Sequence, residues 1–115
     1  MPHFIIHCSH DILGKKTAKE IMQQVYDTAE STGFFSKGDI KVRIAPFEHY
    51  LVGNTSDDFI HTFANIMEGR SERQKRTLSE KVVLALKSMF PEVPIISMNV
   101  RDFQKAGYCN KTMVS

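Results

Sequence analysis

Pro2 opens the run PHFIIHCS, directly after Met1. Removal of Met1, which is normal before a small residue, would turn its nitrogen from an amide into a secondary amine. A model α-amino group titrates near ~8, and burial beside cations disfavours its protonated form and lowers that value. A neutral amine near pH 7 can take a proton from a carbon acid or an enol and return it elsewhere. The pyrrolidine ring fixes φ, so the lone pair is aimed with little conformational freedom left to lose. A proline after Met1 is nevertheless common, and position alone assigns it no role. With Met1 retained, the nitrogen is no base at all.

Proton transfer beside a carbonyl builds negative charge on oxygen, which fixed cations stabilise. Arg70, in GRS ahead of a predicted helix, stands where unpaired N–H groups and the helix dipole already favour an anion. Its guanidinium can grip a carboxylate through two hydrogen bonds, or be no more than a surface arginine beside a cap. Lys41 and Arg43, alternating in DIKVRIA, form a second set. Arg43 can bind substrate or pair with a carboxylate across a subunit interface.

The remaining reactive side chains carry less. His3 and His7 share a strand face too far apart to enter one metal's ligand sphere easily, which favours surface or interface roles. Nothing around His49 or His61 supports more. Cys8 reads as a core filler, since no basic helix end lies beside it. In GRSERQKR the charges alternate with Glu72, as on a solvated first helical turn rather than a nucleic-acid patch.

The elements that must position these groups follow from patterning. PHFIIHCS alternates as a strand, HDILGKK reads as a loop, and TAKEIMQQVYDTAESTG reads as a helix. That helix has a Thr17/Glu20 capping box, an apolar stripe of Ala18, Ile21, Met22, Val25 and Ala29, and a stop at Gly33. DIKVRIAPF is a second strand ended or edged by Pro46, and HYLVGNTSD a loop or short extra strand turning at Gly53-Asn54. The order then repeats. DDFIHTFANIMEG is strand-like, and SERQKRTLSEKVVLALKSMF is a helix capped by Ser71 and Gln74 with Leu78, Val82, Ala85, Leu86 and Met89 inward. Pro91 and Pro94 break it before the strand PIISMNVRDF.

Two β-α-β units side by side predict an α+β, two-layer fold with a four-stranded sheet and both helices on one face, one domain over residues 1–115. The composition is that of an ordinary globular chain, 42% apolar and 10% aromatic, with no run long enough for a membrane span. A net charge of +2 demands no polyanionic partner, and two distant cysteines without an export signal fit a reducing, cytoplasmic setting. A sheet covered on one side exposes the other. That open face is expected to carry Pro2, Lys41 and Arg43 among Phe, Met and Ile, and copies of the chain are expected to pack sheet to sheet to bury it.

MPHFIIHCS, IKVRIAPF, GRSERQK and the tail GYCNKTMV together resemble the tautomerase superfamily and, within it, the 5-carboxymethyl-2-hydroxymuconate isomerases. The likeness runs over nearly the whole chain. It implies a homotrimer of β-α-β-β-α-β subunits with a free N-terminal proline, here Pro2, as catalytic base, and no metal or organic cofactor. It implies a small carboxylate substrate, an unsaturated 2-hydroxy or 2-oxo diacid from aromatic-acid breakdown, and no nucleic-acid or membrane partner. Members tend to carry arginine where Lys41 stands, so a fork is replaced here by a point charge. By the same likeness Phe103 and Tyr108 would close the pocket from a neighbouring subunit. Two alternatives stay open: a phenylpyruvate-type keto–enol tautomerase similar to macrophage migration inhibitory factor, and a non-catalytic trimer of the same fold.

Overall fold

The computed structural model describes residues 1–115, in the order β1 (His3–Ser9), α1 (Ala18–Ser31), β2 (Lys41–Phe47), β3 (Phe59–Met67), α2 (Glu72–Met89) and β4 (Ile95–Phe103). Short 3-10 turns occupy His10–Gly14, Lys105–Gly107 and Lys111–Met113. The sheet order is β2-β1-β3-β4: β1 runs parallel to β2, β3 parallel to β4, and the two halves meet antiparallel through β1 and β3. The expected two-layer α+β architecture is therefore the observed one.

Period-two alternation sorts each strand into two faces. Phe4, Ile6 and Cys8 on β1, and Ile60, Thr62, Ala64 and Ile66 on β3, are buried beneath the helices. Fully burying a Leu, Ile or Phe contributes roughly 1.5–3 kcal/mol, which makes these alternations the main determinant of register. The helices answer with Ile21, Val25 and Ala29 from α1 and Leu78, Val82 and Leu86 from α2. Ala85 and Met89 are only half-buried, because they turn into an open groove between the two helices.

Local chemistry fixes the helix ends. Thr17 and Glu20 form the expected capping box at α1, as do Ser71 and Gln74 at α2, and Gly33 takes a left-handed φ of +73° just past α1. Pro46 sits on β2, an edge strand, where a missing N–H costs no ladder bond on the open side. Val52 and Thr55 bridge across Gly53-Asn54, both with positive φ, as the turn reading required. The segment HDILGKK is no simple loop. It winds into a 3-10 turn because Ile12 is driven fully into the end of the core, and Lys15 N–H closes on the Ile12 carbonyl at 3.0 Å. No helix is long and apolar enough to cross a membrane.

One buried group is unmatched: the Thr62 hydroxyl, on the helix side of β3, has no hydrogen-bond partner. An unpaired buried hydroxyl costs about 1–3 kcal/mol, whereas an isosteric methyl costs nothing there. Thr62→Val is therefore expected to stabilise the protein by about 1 kcal/mol, read as a higher urea midpoint at unchanged slope.

Candidate active site

The start of β1, the start of β2 and the end of β3 lie at one end of the sheet, since His3 pairs with both Lys41 and Asn65. Pro2 is buried there, and its carbonyl accepts from Lys41 N–H at 3.0 Å. It does not join the open face. Its parity is that of Phe4 and Ile6, so it lies on the helix side, whereas Lys41 and Arg43 stand opposite His3 and Ile5 on the other side. Pro2 and Lys41 thus share an end of the sheet without sharing a face.

Asp39, in the loop ahead of β2, organises this end, and no sequence pattern announces it. The terminal ammonium of Met1 donates to its Oδ2 at 2.5 Å. Lys41 Nζ donates to the Asp39 carbonyl at 2.7 Å, stands 3.6 Å from Oδ1, and lies 3.9 Å from the Met1 sulfur. The ammonium hydrogen bond, reinforced by the Lys41 charge, holds the Asp39 carboxyl below its ordinary value against the opposing effect of burial.

Arg70 reaches the same end from the α2 side. It precedes the Ser71 cap, as expected, but it is not a free cation: its Nη2 donates to the Phe34 carbonyl and its guanidinium lies 5.5 Å from the Phe35 ring centre. Phe35 meets Phe4 edge-on at 6.0 Å, which links Arg70 to the strand that Pro2 begins. Four donors on the guanidinium are not taken up by the bond to Phe34, so the side chain can still receive an anion.

Arg43 is exposed on the open face, with Nη1 3.1 Å from His3 Nδ1. That geometry requires a neutral His3 ring accepting at Nδ1. Burial first, then the charges of Arg43 and Lys41, lowers the His3 pKa. Beside His3 lies an open hollow of about 420 Å³ lined by Asn65, Phe103, Gln104, Gly107 and Tyr108. Phe103, at the end of β4, and Tyr108, in the tail, stack at 5.4 Å and make one wall of this hollow. Arg101, which the sequence did not single out, donates to Asn65 Oδ1 at 3.2 Å and covers the Phe63 ring. A cross-strand pairing of Asn65 with Arg101 made that contact, and only the β3–β4 register could have shown it.

The other candidates fall where a structural role puts them. His7 lies between Phe47 and Phe63, and His61 is held by Ser97 at 2.7 Å and by Asn99 at 2.6 Å. No three His, Cys, Asp or Glu side chains converge to hold a metal ion. Cys8 is fully buried, and burial, helped by Asp58, pushes its thiol up to about 11, which leaves it inert as a nucleophile. In the basic run, Lys75 is paired with Asp102 at 2.7 Å and Glu72 at 3.7 Å, as suits a solvated helical turn.

This end of the sheet, with Pro2 buried behind the terminal Met1 and Lys41 beside it, can be set beside known proteins. The profile of the 5-carboxymethyl-2-hydroxymuconate isomerases matches residues 2–114, from Pro2 almost to the last residue. The chain belongs to that family. It is accordingly an isomerase. It is 26% identical over 92 residues to the 5-carboxymethyl-2-hydroxymuconate Delta-isomerase of Escherichia coli, spanning 78% of this chain and 73% of that one. The fold is that of a 5-carboxymethyl-2-hydroxymuconate isomerase from Deinococcus radiodurans R1, with a TM-score of 0.83 at 22% identity over 96% of this chain and 88% of the other. A fused 4-OT symmetric trimer shares it with a TM-score of 0.77 at 13% identity, covering 98% and 94%. The resemblance read from the motifs is borne out.

Proposed function

We propose that this isomerase works without a cofactor, using the Pro2 nitrogen, freed by loss of Met1, to carry a proton along an unsaturated 2-hydroxy dicarboxylate. The substrate that best fits is 5-carboxymethyl-2-hydroxymuconate, whose carboxymethyl group adds a third carboxylate to that frame, within aromatic-acid breakdown in the cytoplasm, where the free thiols of Cys8 and Cys109 stay reduced. The neutral amine takes the 2-hydroxyl proton, the dienolate oxygen becomes a carbonyl, and the two carbon–carbon double bonds give way to a single one between C3 and C4 as the electron pair moves out to C5. The far carbon then receives a proton from the ammonium, so the amine returns to its starting state and nothing is consumed. Arg70 receives a substrate carboxylate through its open donors and, with Lys41, steadies the charge on the dienolate. Arg43, on the far side of Lys41, serves a second carboxylate or an interface.

The observation that carries this reading is the convergence of Pro2, Lys41 and the Phe4–Phe35–Arg70 chain of contacts on one end of the sheet. A homotrimer supports it, since the open face carries Phe47 and Ile95 at 38% and 41% exposure beside His7 and Phe63, a surface suited to burial against further copies. Lys41 favours a second reading, a keto–enol tautomerase of one-carboxylate substrates such as phenylpyruvate, because its charge is shared with Asp39. Intact mass of the purified protein together with ultraviolet assays of both substrates tests the choice. The expected result is a mass short by one methionine, with turnover of the carboxymethyl-hydroxymuconate dienol well above that of phenylpyruvate. Absence of turnover of either substrate by Met1-free protein would leave only the non-catalytic trimer.

A further inference from the structure

We infer that Asp39 is a positioning residue for the reaction, holding the terminal amine as its counter-ion while it keeps part of the Lys41 charge engaged. This rests on the proposed role of Pro2 and adds to it a group that sets when that amine is a base. Asp39 Oδ2 lies 2.5 Å from the Met1 ammonium and Oδ1 lies 3.6 Å from Lys41 Nζ, so each carboxylate oxygen faces a cation. The residue is neither a helix cap nor part of a wider acidic cluster. Its one carboxylate is the only acidic group paired with either cation.

Covalent geometry carries the contact over to Pro2. Nitrogens of consecutive residues are at most about 3.8 Å apart. With the 2.5 Å contact to Met1, that places the Pro2 nitrogen within about 6 Å of Oδ2. Loss of Met1 moves the charged chain end onto that nitrogen, and a carboxylate at this range favours the protonated amine. The other charged or titratable groups toward this end are Lys41 and Arg43 on β2, Arg70 ahead of α2 and His3 on β1, while Glu68 past β3 and Arg101 on β4 are engaged by the Lys105 N–H and by Asn65. Lys41, Arg43 and Arg70 disfavour the protonated amine, and His3 is kept neutral by burial and by Arg43 and Lys41. Asp39 is the acid that the structure sets directly against the chain end. It holds the amine ready to donate as well as to accept, and both halves of the proton shuttle need that.

The second consequence concerns Lys41. A lysine anchored by the Asp39 carbonyl and carboxylate presents less than a full charge to an incoming anion. Asp39 therefore lowers the gain from a second substrate carboxylate, and its removal should tighten binding of a dicarboxylate more than that of a monocarboxylate.

The test uses full-length enzyme labelled with 15N-proline, in which only a terminal proline nitrogen titrates among the four prolines. Asp39→Asn and Asp39→Ser are expected to move both the Pro2 titration and the acid limb of kcat/KM to lower pH by about one unit. KM for a dicarboxylate should fall in both variants, and Asp39→Glu should restore the original limb. A titrating Pro2 that neither variant moves would overturn the inference and leave the role of Pro2 standing. An active enzyme with no titrating proline nitrogen would overturn both.

Discussion

Pro2→Ala is expected to lower kcat by about 10²–10⁴-fold while leaving the thermal midpoint within a degree or two of the parent protein. The kinetic half follows from what the ring supplies. Alanine also permits loss of Met1, so the variant still ends in an amine, but a primary one on a residue free to rotate about φ. The lone pair is then no longer aimed, and the low-dielectric packing around the ring that keeps the amine neutral is lost. The stability half follows from the backbone. The Pro2 carbonyl accepts from Lys41 N–H at 3.0 Å, a bond that alanine keeps, and the core begins in earnest at Phe4. A variant that retains Met1, for which a large residue at position 2 suffices, should fall further than Pro2→Ala, because its nitrogen is an amide. Equal activity in the Met1-bearing and Met1-free forms, each verified by intact mass, would remove the amine from the mechanism.

The fold was legible in the sequence because its determinants are local. Alternation in PHFIIHCS gave the inner face of β1, Thr17/Glu20 and Ser71/Gln74 gave the helix starts, and Gly33 gave a stop, each within one turn of chain. The site was only half legible, for two physical reasons. Parity already placed Pro2 with Phe4, and putting it instead with Lys41 treated residues at neighbouring strand ends as though they shared a face. A base and a cation need only a common end of the sheet, which loops and crossovers supply. Asp39 and Arg101 were invisible for a different reason: their partners are 38 and 36 residues away in sequence, and long-range register alone brings them together. An isolated acid in SKGDIKV has no spacing to read. Ile12 shows the same limit in the core, an apolar residue in a polar segment whose burial depends on what lies beneath it.

Arg70 separates structural from chemical duty, and its variants should come apart accordingly. Arg70→Ala is expected to lower kcat/KM by about 10²–10³-fold, the usual loss when one charged donor to a developing oxyanion or bound carboxylate is removed. It should also cost about 1–3 kcal/mol of stability, since the Phe34 carbonyl loses a charged donor and the Phe35 ring loses its cover. Activity loss alone would therefore be ambiguous, because a shifted Phe35 would disturb Phe4 and the strand that Pro2 begins. Arg70→Lys resolves it. A lysine ammonium can still donate to the Phe34 carbonyl, so most of the stability should return. It cannot hold Phe34 and grip a carboxylate with a planar fork at the same time. The lysine variant should accordingly melt near the parent protein yet recover less than about a tenth of its kcat/KM, with the deficit largest for dicarboxylates. Full recovery of both would make Arg70 a strut for the Phe34–Phe35 corner, and would leave Lys41 and Arg43 as the groups that meet the substrate.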